Sequence, residues 1–156
     1  MRKITDEQLQ EIIRLHGRWL VDNQTGERAD LSSTNLSDAI LRGVNLSGAD
    51  LSGAKLYNVN FSSANLSGAN LSGANLLHAN LSNADLSGAI LSGADLSHAD
   101  LSGANLYYAN LSGADLSRVN LLGANLFEAN LSHADLSSAN LFDVDLSNAI
   151  LLGIHF

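Results

Sequence analysis

Ala49-Asp50-Leu51-Ser52-Gly53 is one unit of a phrase, A-(D/N)-L-S-G, that runs from Ala29 to Phe156 without insertion or deletion. Counted on the leucine, every fifth residue from 31 to 156, 26 sites in all, is Leu except for Phe61 and Phe156. Two residues earlier stands Ala, replaced only by Thr34, Val44, Val59, Val119, Val144 and Ile154. A frame kept this long requires every unit to meet its neighbours in the same way. A period of five fits neither a continuous helix nor a continuous strand, which would scatter the leucines over several faces. Within one unit, though, Ala and the following Leu are two apart and point to the same side of an extended edge. The Ser-Gly pair then suits a tight turn, with Gly at the second central place where φ is positive. Asn58, Asn83 and Asn148 replace Gly there, and Asn tolerates the same conformation.

Short edges joined by corners stack as a parallel solenoid, each coil pairing its backbone with the coils on either side. The A-(D/N)-L-x-x units resemble the pentapeptide-repeat family over residues 29–156. That resemblance implies a right-handed quadrilateral parallel β-helix with four pentads per coil; a period of five excludes the related six-residue solenoid. The expected fold class is therefore an all-β solenoid of about 6.5 coils, roughly 31 Å long at ~4.8 Å per coil.

Residues 1–28 read as an N-terminal α-helical cap and turn, which with residues 29–156 makes one structural domain. Thr5 and Gln8 form a capping box, and Asp6 and Glu7 occupy the first turn. Leu9, Ile12, Ile13, His16, Trp19 and Leu20 follow the spacing of one helical face. Asn23 to Gly26 turns the chain into the first coil. His16, Trp19 and Leu20, then Gly26, Arg28, Ala29, Asp30 and Leu31, resemble the lead-in of some family members.

Composition narrows the function. The chain of 156 residues holds no cysteine, which excludes disulfides, thiolate metal sites and a cysteine nucleophile. No apolar run is long enough to span a bilayer and no signal peptide is evident, so the expectation is a cytoplasmic chain with no membrane contact. Net charge is −8, carried by the repeats, where eleven acidic residues face only Arg42, Lys55 and Arg118. Direct nucleic-acid binding needs a basic footprint and is not expected. An acidic rod could instead imitate DNA, as the family resemblance implies for members that bind DNA gyrase. Its charge density of about one per 4 Å is less than half that of the duplex.

No catalytic constellation, cofactor motif or metal motif is present, so the chain is read as non-enzymatic, with catalytic, cofactor and metal residues all absent. The expected function is a structural or protein-interaction module with an unidentified protein partner. The alternative is an acidic DNA mimic that binds a type II topoisomerase. On a four-sided coil Asp95, Asp115 and Asp135 line up as an acidic ladder, read as a solvated face. His78 and His98 stack, and Arg118 continues their row; His16, His133 and His155 are given structural roles. Toward the C-terminal coils the outward serine gives way to apolar residues, which usually marks contact with another chain. A homodimer through the C-terminal coils is expected, with Leu122, Phe127, Phe142, Leu152 and Phe156 as the interface; several relatives pair in this way.

Overall fold

The structure, a computed structural model, describes residues 1–156. One helix, α1 (Asp6–Val21), precedes a long stack of coils. From Asp30 onward each fifth residue forms a parallel bridge to the residue twenty further on, as in Asp30 to Asp50 and Asp50 to Asn70. Four pentads thus complete one coil. The pentad at Asp50 shows how neighbouring coils are tied. Asp50 N–H donates back to the Ala29 carbonyl at 2.9 Å, and Leu51 N–H donates forward to Asn70 at 2.7 Å. Gly53 N–H reaches the Ser72 carbonyl at 2.9 Å, while Ala54 N–H closes the corner on the Leu51 carbonyl at 3.1 Å.

The expected all-β class needs correction. No β-strand forms: every bridge is isolated, one residue per pentad, and α1 is the sole regular element. The walls are therefore not the stacked strands of a β-helix or solenoid as envisaged from the sequence, but successive turns tied coil to coil. The cause is local. Each corner places its second central residue at φ near +60°, at all 25 corner positions from Ser33 to Gly153. The extended edge between corners is too short for two neighbouring residues to bridge.

Inside, alanines and leucines merge into one cluster of 42 buried residues, with Phe61 among the fully buried. Burial holds as far as Leu136 and declines beyond it; Leu141 and Leu146 are half-buried, and Leu151 is 39% exposed. The outward Ser positions are partly exposed throughout the middle coils.

At the other end α1 covers the first coil. Thr5 Oγ1 accepts from Gln8 N–H and Gln8 Oε1 accepts from Thr5 N–H, closing the capping box. Leu9 and His16 are buried, while Ile12 and Ile13 pack half-buried on the core. A Cβ on Gly26 would lie 2.1 Å from the Trp19 nitrogen and 2.4 Å from the Leu15 carbonyl oxygen, so this turn can touch the helix backbone only as glycine. Arg2 carries no recognisable signal in the sequence. Its N–H donates to Ser33 and its carbonyl accepts from Asn35, each at 3.0 Å, adding one rung below the first coil.

His16 joins helix to coil. Its Nδ1 accepts from Ala29 N–H at 3.1 Å, which requires the neutral ring, and its buried Nε2 closes no hydrogen bond. Burial, with a smaller effect from Arg28, holds the imidazole below its ordinary 6.5, and the Ser47 backbone nearby only partly opposes this. The docked cap therefore binds fewer protons than the undocked one. Docking is complete above about pH 6.5 and weakens as pH falls below it. Trp19 stacks on His16 at 5.4 Å and 16° and reports the change. Trp19 emission should shift between pH 7 and 5, with faster exchange of the Ala29 amide after correction for its intrinsic rate. Equal Ala29 protection at both pH values would disprove the linkage.

Candidate functional site

The twenty-residue register sorts outward residues onto four walls, named here by their first bridged residue: Asp30, Asn35, Ile40 and Asn45. On the Asn35 wall Asp95 bridges Asp115, and Asp115 bridges Asp135, so the acidic ladder exists as a backbone row. Its side chains, however, serve their own corners. Oδ1 of each accepts the N–H two residues on, from Ser97 at 3.1 Å and from Ser117 and Ser137 at 2.9 Å. The Ser137 hydroxyl and N–H hold Asp135 below the usual carboxylate range, with His155 adding a smaller pull. No group of three or more His, Cys, Asp or Glu side chains is placed to hold a metal ion.

The same bond explains the D/N position in general. Asn65 Oδ1 accepts from both the N–H and the hydroxyl of Ser67, at 3.0 and 2.7 Å. An asparagine has an amide left to donate to the preceding coil. Asn105 Nδ2 reaches Asp85 Oδ1 at 3.1 Å, Asn120 reaches Asp100 at 3.0 Å, and Asn140 reaches Asn120 at 2.9 Å. The sequence displays the D/N choice without its meaning: Asp serves its own corner, whereas Asn70, Asn105, Asn120, Asn125 and Asn140 also tie two coils. Three stacked aspartates lack that tie.

The five residues expected at an interface are spread over the surface. Leu122 and Phe142 stand two residues beyond bridged Asn120 and Asn140, on successive coils of the Ile40 wall, 42% and 74% exposed. Phe127 lies on the Asn45 wall, stacked on Tyr107 at 5.8 Å and 15°. Tyr107 in turn meets Tyr108 edge-on at 4.6 Å. The Glu128 carboxylate beside Tyr108 favours the protonated phenol and holds it above its usual 10. Leu152 belongs to the Asp30 wall, and Phe156 occupies an inward position left 74% exposed. On the Asn35 wall His78 and His98 come together at 5.0 Å between ring centres, and Tyr57 sits edge-on to His78 at 5.9 Å.

The family described as Pentapeptide repeats matches residues 27–62, 64–103 and 104–141. The chain belongs to the pentapeptide-repeat family. Among solved structures it is similar to HetL, a pentapeptide-repeat protein involved in heterocyst differentiation regulation from the cyanobacterium Nostoc, at 40% identity. That match covers 83% of this chain and 68% of HetL, with a TM-score of 0.49. Rfr23 of the cyanobacterium Cyanothece is 27% identical over 92% of this chain and 99% of its own, with a TM-score of 0.53. QnrB1, a plasmid-mediated fluoroquinolone resistance protein, is 23% identical over 83% and 82% with a TM-score of 0.37, a likeness of fold alone. No curated protein matches. Family membership makes the chain non-enzymatic, and no helix is long and apolar enough to cross a membrane.

The ladder yields a direct test. Asp115→Asn removes both like-charge contacts of the row and supplies an amide to Asp95, as Asn120 does for Asp100. The melting temperature should rise by about 2 °C, and Asn120→Asp should lower it by a similar amount. An unchanged or lower melting temperature for Asp115→Asn would show that the stacked carboxylates cost nothing.

Proposed function

We propose that this pentapeptide-repeat chain is a non-enzymatic protein-interaction module that pairs with a second copy through its C-terminal coils. The observation that carries the reading is the apolar surface of those coils, where Phe142, Leu152 and Phe156 are all more than two-thirds exposed. Exposed apolar side chains grouped on neighbouring coils favour association, and a symmetric pairing covers them in both copies at once. Leu122 extends this surface down the Ile40 wall, and Phe127 extends it along the Asn45 wall. Light scattering at tens of micromolar should give the mass of two chains, and Phe142→Asp with Leu152→Asp should give one, with helicity from α1 retained. A single-chain mass for the unaltered protein would defeat the proposal.

A second reading, binding of a type II topoisomerase in place of DNA, draws support from charge. Beyond Lys55 eight acidic residues are met only by Arg118. The acidic residues lie on separate walls: Asp95, Asp115 and Asp135 on one, Asp100 and Asp143 on another, and Asp85, Glu128 and Asp145 on a third. Added to a gyrase supercoiling assay, such a mimic would inhibit supercoiling or protect the enzyme from a fluoroquinolone in a dose-dependent way. Activity that stays flat up to micromolar protein rules this reading out.

A further inference from the structure

His78 and His98 occupy the same corner of adjacent coils, at φ +59° and +58°, so their Cβ atoms leave the backbone in the same direction one coil apart. Both side chains are exposed, and their ring centres lie 5.0 Å apart with the planes inclined at 45°. That separation has a chemical meaning. With metal–nitrogen bonds of about 2.0–2.1 Å, two imidazoles on one ion have ring centres about 4.5–5.2 Å apart, for bond angles from square to tetrahedral. The coil pitch therefore presets the spacing of a two-histidine chelate, as one helical turn does for histidines four apart. The clip then requires the exposed rings to turn so that one nitrogen of each faces a common point.

No other pair of histidines is placed in this way. His133 has Gly113 and Gly153 as its row neighbours, His155 stands above Asp135, and His16 is buried in the cap. The charges around the pair are mixed. Arg118 follows in the same row, while Asp95 and Asp100 flank His98 on the bridged positions of two adjoining walls. Tyr57 closes the opposite side of His78. We propose that His78 and His98 form a two-imidazole clip for a borderline divalent transition-metal ion, tying one coil to the next. Imidazole pairs suit Cu²⁺, Ni²⁺ and Zn²⁺ and discriminate against Mg²⁺ and Ca²⁺, which take oxygen ligands. The remaining coordination positions are left to water.

The test uses the full chain and the metal ions alone. Calorimetric titration should show one saturable site, tightest for Cu²⁺, and no binding of Mg²⁺. His78→Asn and His98→Asn are suitable variants, because Asn already occupies this corner at Asn58 with φ +54°. Each should weaken binding at least tenfold, and His133→Asn should leave it unchanged. In NMR spectra substoichiometric Cu²⁺ should broaden the ring resonances of His78 and His98 together, ahead of those of His133 and His155. Absence of a saturable site, survival of binding in the double variant, or loss in only one of the two single variants would each overturn the proposal.

Discussion

The corner residue at positive φ is the constraint from which the rest follows. It recurs every five residues, so no extended edge outgrows one pentad, and each edge offers a single bridged residue to the coil beside it. Cohesion then comes from repetition of a small set of bonds. Three backbone hydrogen bonds per pentad run between coils, one closes the corner, and an Asp or Asn oxygen accepts the N–H two residues on. Leu and Ala fill the interior because they are the two positions of the edge that face inward together.

This explains which parts of the architecture could be read in advance. The period, the inward leucine, the corner glycine and the helical cap are properties of single units or of one helix face, and the sequence displays them directly. The expectation of strands misled because the Ala-to-Leu alternation was extended into a wall. Two inward residues per unit do not make a strand when a positive φ follows at once. Arg2 was invisible for a different reason. Its backbone makes a rung against Ser33 and Asn35 that any residue except proline could make, and its side chain adds a bond to the Asp30 carbonyl at 2.9 Å.

The candidate site divides in the same way. Stacking of His78 on His98 followed from counting by twenty, once four pentads per coil were assumed. The use made of the D/N position did not, because it depends on where a side-chain oxygen sits relative to the next turn. That use changes the meaning of the acidic ladder. Asp95, Asp115 and Asp135 are committed to their corners, and the three do not converge as a metal-holding group. Their acidity contributes to the field of the rod more than to any local chemistry.

What distinguishes this chain from its relatives must lie outside the motif. Any two pentapeptide repeats aligned in register share Ala and Leu, two positions in five, before any outward residue is compared. Identity of that kind reports the packing of the interior and the closing of corners, both of which every member must satisfy. Outward residues are free of that requirement, and several here depart from it at a conformational cost. His78, His98, Tyr108, Arg118 and Glu128 all hold the positive φ that glycine adopts without strain. Three of them make contacts that glycine could not make: His78 with His98, and Tyr108 with Tyr107. The physical case for function therefore rests on these departures from the repeat, set on a scaffold that fixes their spacing to one coil.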